Sequence, residues 1–379
     1  MKIIIAPDSF KESLTSHEVA CAVEYGFKEV FPNAEFVKLP IADGGEGTVE
    51  ALISATKGNI VSTNVIGPLG NKIKSFYGVC GDEKTVVIEM AASSGLDLVP
   101  TKLRNPLLTT SYGTGELIKT ALDAGYRKFI IGIGGSATND AGAGMLQALG
   151  VKLLDTNGNE ISYGGGSLAF LEKIDIRGLD PRILESNIEV ACDVNNPLTG
   201  PNGASAIFGP QKGATIQMVQ ILDDCLLHFA KIAKRDLGKE IDKQAGAGAA
   251  GGMGAALQAF FSAKLLPGVE IIIEQTKFKD LLTDANLVVT GEGKIDAQSI
   301  FGKAPIGIAK VAKENGIPVI AIAGSLGQGA EDVRDYGINA VFSVVNTACT
   351  LEKALLNAEQ NVRITAKNIA EVLKLSNMV

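Results

Sequence analysis

The sequence predicts an α/β protein made of two α/β domains, one of them discontinuous. Three observations lead there. Strand-like and helix-like segments alternate at both ends of the chain. Neither end alone supplies enough strands for a stable doubly wound sheet, whereas together they supply five or six. The 379 residues, 46% of them apolar, are enough for two hydrophobic cores.

The elements follow in order. KIIIA, residues 2–6, reads as a short apolar strand closed by Pro7. Thr15 and Glu18 match a capping box and open a helix that runs to about Val30 and stops near Pro32. Residues 35–42 form the next strand, 45–57 the next helix, and 60–66 are extended. In the C-terminal third, 286–290 read as a strand. A helix over 304–315 carries Pro305 in its first turn and Gly316 just past its end. Residues 317–324 and 338–345 are further strands, and apolar residues at 351, 355, 358, 362, 369 and 373 mark an amphipathic final helix.

The middle is different. SFYGVCG and KTVVIEMA, within 75–91, read as an antiparallel pair across Gly81 and Asp82. Apolar residues at 219, 222, 226, 229 and 233 mark a helix, and glycine-rich loops surround 157–167 and 245–254. The expected organisation is a flavodoxin-like parallel-sheet domain of residues 1–66 and 286–379. Residues 67–285 are inserted as a second α/β domain, with the active site in the cleft between them.

Composition removes several function classes. The net charge is −7, from 35 basic and 42 acidic residues, and no basic run stands out, which argues against nucleic acid as a partner. The absence of tryptophan argues against a carbohydrate-stacking surface or a single-strand platform. Cys21, Cys80, Cys192, Cys225 and Cys349 are scattered without a CxxC pair, which fits reduced thiols in a cytoplasmic protein and no zinc site. The apolar start is too short for a signal peptide, and no later run spans a bilayer, so a membrane is not expected as a partner.

The most informative stretch is KFIIGIGGSATNDAGAG, residues 128–144. An apolar strand runs into Gly134, Gly135, Ser136, Ala137, Thr138, Asn139 and Asp140, and a helix-like segment follows. Glycines after a strand let backbone approach a ligand, and a helix N-terminus offers unpaired N–H groups to an anion. Such turns also occur for geometric reasons alone. Here the device recurs with carboxylates, in PIADGGEGT (40–48) and VVTGEGKIDAQSIFGKAP (288–305).

Familiar phosphate motifs are missing. Gly302 and Lys303 are followed by Ala304, so there is no GxxxxGK[ST] loop, and no protein-kinase HRD or DFG set occurs. GAGAAG (246–251) follows a helix-like segment rather than a strand. GIGGSA (132–137) does follow a strand, with Asp155 18 residues beyond Ala137. That keeps open an NAD-dependent oxidoreductase of a small hydroxy acid. A non-catalytic small-acid binding protein is the other alternative.

The remaining signals are loop carboxylates and lysines. Asp8 and Lys11 follow the first strand, and Asp43 and Glu46 lie in DGGEG. Asp193 with Asn195 and Asn196 follows the strand IEVAC. Glu292 and Asp296 lie in TGEGKID, with Lys303 beyond. His17 and His228 fall in helical patterns and read as structural. Carboxylates converging on glycine loops, without histidine or cysteine chemistry, point to Mg²⁺-assisted phosphoryl transfer, which rests on positioning and charge stabilisation.

Eight ordered segments carry a resemblance: APDSFKESLTS, IADGGEGT, EMAASSGL, TTSYGTGELI, GGSATNDAGAGML, CDVNNPLTGPNGAS, GAGAAGGMGAAL and TGEGKIDAQSIFGKAP. In that order, over essentially the whole chain, they resemble the bacterial glycerate kinase family, the type without a P-loop. The resemblance implies phosphotransfer from ATP to glycerate with Mg²⁺, and two α/β domains with the active site between them. Roles are then assigned by chemistry. Asp193 is the base, with Asp8 and Asp43 competing for that role. Lys11 anchors the glycerate carboxylate, and Asp43 with Glu46 contacts the acceptor or metal. Gly134, Gly135, Ser136, Thr138, Asn139 and Lys303 hold the nucleotide, and Glu292 and Asp296 hold Mg²⁺. Which hydroxyl is phosphorylated, and the oligomeric state, stay open.

Overall fold

The computed structural model describes residues 1–42, 45, 47–300 and 303–376. In chain order its first strands are β1 (Lys2–Pro7), β2 (Glu35–Lys38), β3 (Asn59–Ile66), β4 (Lys72–Val79), β5 (Thr85–Glu89) and β6 (Lys128–Gly132). There follow β7 (Lys152–Leu154), β8 (Lys173–Asp175), β9 (Asn187–Ala191) and β10 (Lys264–Leu266). The last are β11 (Leu287–Ile295), β12 (Val319–Leu326) and β13 (Ala340–Ser343). Packing divides the chain into two units. One comprises Met1–Asp43, Glu50–Lys57 and Pro267–Val379, the other Gly44–Val49 and Gly58–Leu266.

The first unit is built on an all-parallel sheet of order β13-β12-β11-β1-β2. Numbered along its own strands this is 2-1-3-4-5, the flavodoxin-type order, whose winding reverses between β1 and β11. β1 is buried from Ile3 onward, as a parallel strand covered on both faces must be. One cover is the helix Ser16–Lys28, whose capping box is complete: Glu18 N–H donates to Thr15 Oγ1, and Thr15 N–H donates to Glu18. Ile3, Ile5, Val23, Phe27, Val289 and Ile322 share a core with Val362 and Ile369 of the helix Ala358–Ser376.

The second unit carries a sheet of order β10-β9-β6-β5-β4-β3, parallel from β5 to β10 and antiparallel at β3 and β4. β7 and β8 form a small separate antiparallel pair. Ile88, Phe129, Ile131, Leu146, Val190, Phe229 and Leu257 lie in its core.

Several expected boundaries move. Residues 60–66 were expected in the flavodoxin-like domain, but β3 pairs antiparallel with β4 along its whole length. The cause is a tight turn at Gly67, Pro68 and Gly70, in which Gly67 N–H donates to Asn71 O and Gly70 N–H to Gly67 O. Residues 267–285 cluster with the first unit instead of the insertion. The helix Gly268–Gln275 presents Val269 to Gly307 of the helix Ala304–Glu314, where a β-carbon would stand 2.6 Å from a Val269 methyl. TGEG was expected to be a loop, yet β11 continues through it to Ile295, with Gly291 paired to Ile322 and Glu292 to Ala323. The final helix is two, Leu351–Leu356 and Ala358–Ser376, parted at Asn357.

Candidate functional site

In the first unit the winding reversal sits between the ends of β1 and β11. The last paired register joins Pro7 to Gly291, and Asp8 N–H then donates to Gly291 O at 2.8 Å. Asp8 and Glu292 therefore stand side by side, one step past the pairing, at the position where such sheets take ligands. Asp8 Oδ1 accepts the Ser9 N–H at 2.6 Å. The loop turns over β11, with the Lys11 nitrogen and Phe10 Cα each 3.4 Å from where a Gly293 β-carbon would be. Lys11 itself is exposed.

Glu292 is nearly buried, and burial pushes its carboxyl upward in pKa. Ser299 Oγ donates to its Oε1 at 2.6 Å, and Lys303 Nζ lies 3.3 Å from its Oε2, both favouring the ionised form. Asp296 is held below the usual carboxylate range, chiefly by Lys294 at 2.8 Å, and also accepts the Gln298 N–H at 2.9 Å. The two carboxylates expected to hold a metal are thus already engaged by lysines and internal donors. Among the described residues no three His, Cys, Asp or Glu side chains converge as a metal cage.

In the second unit three adjacent parallel strands end together. β5 ends at Glu89, β6 at Gly132 and β9 at Ala191, with Glu89 in register with Gly132 and Gly132 with Ala191. The chain beyond β6 is the turn 134–140, and beyond β9 it is exposed Asp193. The turn is clamped from one side, since Leu96 N–H donates to Gly135 O and Ala137 N–H to Ser94 O. From the other side Thr109 Oγ1 donates to Ala137 O. No acceptor among the described residues takes the N–H groups of Gly134, Gly135 or Ser136. N–H groups left without acceptors at the end of a strand are the kind of arrangement that can cradle an anion.

Beneath the cradle the polar groups are interior. Thr138 and Asn139, expected to touch the nucleotide, are fully buried, as is Asp140, and Thr138 Oγ1 and Asn139 Oδ1 have no hydrogen-bond partner. Asn139 Nδ2 donates to Ser205 Oγ at 3.0 Å. Asp140 accepts from Ser111 N–H, Ser111 Oγ, Gly142 N–H and Gly144 N–H. Burial raises its pKa against those bonds. Lys212, in the short 3₁₀ turn Pro210–Lys212, donates to Ser136 Oγ and to Thr138 O, both at 2.6 Å. Gly251 closes the underside: its φ is +66°, and a β-carbon there would meet Thr138 O at 2.0 Å. GAGAAG is therefore a packing surface for this turn and not a dinucleotide fingerprint. Asp155 is likewise spent on its own turn, accepting Asn157 and Asn159 N–H at 2.8 and 2.9 Å.

Asp43 and Glu46 lie outside the described residues. Within the second unit the Oε1 of buried Glu89 accepts the Val49 N–H at 2.6 Å, in the first turn of the helix Thr48–Thr56. A carboxylate at a helix N-terminus is favoured by the helix dipole. Sequence reasoning missed Glu89, Ser299 and Lys212. Glu89 alone had a signal, a carboxylate ending a buried strand. Lys212 and Ser299 sit in loop patterns that usually face water. His17 lies 3.5 Å from Cys21 and from Ser54, and His228 bonds Leu171 O, so neither histidine enters either cluster.

Comparison with known proteins gives the family. The glycerate kinase family profile matches residues 3–374. The chain is 60% identical to the glycerate kinase of Haemophilus influenzae, over 98% of this chain and 99% of that one. It is 57% identical to the glycerate 2-kinase of Escherichia coli K12, over 98% of each. A crystal structure of a protein assigned as glycerate kinase 2 from Salmonella typhimurium LT2 superposes over the full length of both chains, with a TM-score of 0.90 and 57% identity. The chain belongs to the glycerate kinase family.

Proposed function

We propose that this member of the glycerate kinase family transfers the γ-phosphoryl group of ATP to the 2-hydroxyl of glycerate, giving 2-phosphoglycerate and ADP. The choice of hydroxyl is supported by the name of the Escherichia coli relative. The structural observation that carries the reading is the cradle at Gly134, Gly135 and Ser136, with its unpartnered N–H groups and a buried ammonium behind it. Such a cradle suits phosphate oxygens.

The residues fit a nucleotide's phosphates better than they fit a resident metal. Glu292 and Asp296 are already bonded, and magnesium needs only one or two protein carboxylates when it arrives on phosphate oxygens. Mg²⁺ is therefore part of the MgATP substrate, where it neutralises phosphate charge. Gly134, Gly135 and Ser136 receive phosphate oxygens. Within the first unit Lys303, steadied by Glu292 and Ser299, is a candidate cation for an anionic substrate. Lys11 supplies one to the glycerate carboxylate.

The glycerate oxygen attacks Pγ as the bond from Pγ to the β–γ bridging oxygen breaks, and ADP leaves. The hydroxyl proton passes to a carboxylate. Asp193 is assigned that role because it follows the strand next to β6 and is exposed beyond it. Asp8, beside Glu292, is the competing acceptor. No helix among the described residues is long and apolar enough to cross a membrane.

Phosphorus NMR of the product after incubation with ATP, Mg²⁺ and glycerate tests the reading. A 2-phosphoglycerate signal is expected. A 3-phosphoglycerate signal would correct the hydroxyl, and no phosphoglycerate from folded protein would overturn the function.

A further inference from the structure

Lys212 is one of the most enclosed charged groups in the protein, at 1% exposure. An ammonium out of water is costly unless it is paired and hydrogen-bonded. Its two hydrogen bonds go to Ser136 Oγ and to the carbonyl of Thr138, neither of them charged. Asp140, the charged group that acts on it among the described residues, has its own carboxylate bonded to Ser111, Gly142 and Gly144. Lys212 is therefore not half of a simple ion pair.

The consequence falls on Ser136. A serine hydroxyl has one hydrogen and two lone pairs, and an ammonium can only donate. With a lone pair committed to Lys212 Nζ, the Ser136 hydrogen must point to some other acceptor. The neighbouring N–H groups of Gly134 and Gly135 and its own N–H are donors and cannot serve. We infer that Lys212 is a positioning residue for substrate binding: by donating to Ser136 Oγ it makes that hydroxyl a donor which, with the N–H groups of 134–136, receives a phosphoryl or carboxylate oxygen of a substrate. This rests on the reading of that turn as an anion cradle. Thr138 Oγ1 and Asn139 Oδ1, buried without a hydrogen-bond partner, are an independent sign that this turn is shaped for more than stability.

Burial pulls Lys212 down to about 7 in pKa, opposed by Asp140. Anion binding favours the protonated amine, so affinity falls as pH rises through that region.

The test is calorimetric binding of ADP and of glycerate, separately, to wild type, Lys212→Met, Ser136→Ala and the double variant, with folding checked by circular dichroism. A charge-assisted network of this kind is worth about tenfold or more in affinity. The expected result is that Lys212→Met weakens one of the two ligands by about that factor, Ser136→Ala weakens the same ligand, and the double variant is no worse than Lys212→Met. Weakened ADP identifies a phosphoryl group as the occupant, and weakened glycerate a carboxylate. Unchanged affinities in Lys212→Met, equal losses for both ligands, or additive effects of the two substitutions would each overturn the inference. If Lys212→Met does not fold, Ser136→Ala decides alone, and wild-type affinity for both ligands in it is the adverse result. Wild-type protein that binds neither ligand would overturn the kinase reading instead.

Discussion

Ser299 Oγ donates to Glu292 Oε1 at 2.6 Å while Lys303 Nζ lies 3.3 Å from Oε2 of the same carboxylate. Burial raises the pKa of this carboxyl, one hydroxyl and one lysine act against that rise, and in return the carboxylate holds the lysine. Removing the hydroxyl leaves burial less opposed, so the carboxyl pKa rises. In Ser299→Ala the acid limb of the pH profile of kcat/KM for ATP should move to higher pH. The alkaline side should be unchanged, because the substitution acts only where the carboxyl titrates. Coincident acid limbs would mean that Glu292 is not what steadies Lys303.

Lys303 itself is half-exposed and sits just before the helix Ala304–Glu314. Lys303→Ala should lower kcat/KM for ATP by about tenfold to a hundredfold, in line with the loss of one charge-assisted contact. KM for glycerate should change less. Steady-state kinetics in which both substrates are varied separates the two, and an unaltered kcat/KM for ATP removes Lys303 from the site.

Asp140 carries the structural load of the cradle. Four donors converge on its carboxylate from Ser111, Gly142 and Gly144, all within the core of the second unit. Asp140→Ala leaves those donors unsatisfied. A loss of about 3–5 kcal/mol of stability is expected, the range for breaking a buried charged network from one side. Asp140→Asn, which keeps one acceptor and the shape, should lose less. Denaturant unfolding of both variants checks the order, and equal small losses would show that the network is not essential.

Much of this was legible in the sequence, and the reasons for the rest are local. Apolar runs ending in glycine or proline marked β1, β6 and β11, because a parallel strand covered on both faces is apolar throughout. The capping box at Thr15 and Glu18 was legible because its two bonds lie within four residues. β3 was misplaced because the tight turn at 67–71 outweighs its position in the chain. TGEG read as a loop because glycine usually ends strands. At Gly291 it permits one, since a β-carbon there would stand 1.9 Å from Ile322 O. The burial of Thr138 and Asn139 was not legible because polarity suggests a surface, and only the packing of Gly251 and Lys212 against the turn shows it. Lys212 was invisible because its partner Ser136 lies 76 residues away.

Asp193 supplies the sharpest test of the chemistry. Phosphoryl transfer to a hydroxyl releases one proton, and an acceptor must lie near the attacking oxygen. β9 pairs with β6 so that Ala191 faces Gly132, which places Asp193 and Gly134 each two residues past paired positions on neighbouring strands. The carboxylate and the cradle are thus carried by adjacent strand ends of one sheet. Asp193→Asn preserves shape while removing the carboxylate proposed as proton acceptor. Its kcat should fall by about 10²-fold or more, the ordinary worth of a general base, while calorimetric ADP affinity stays at the wild-type value. The loss should be in kcat rather than in KM for ATP, because the group acts on the reacting hydroxyl and not on the nucleotide. Near-wild-type turnover would transfer the role to Asp8, whose nitrogen bonds Gly291 O beside Glu292 in the first unit. A parallel fall in kcat and ADP affinity would make Asp193 a support of the cradle instead of the base.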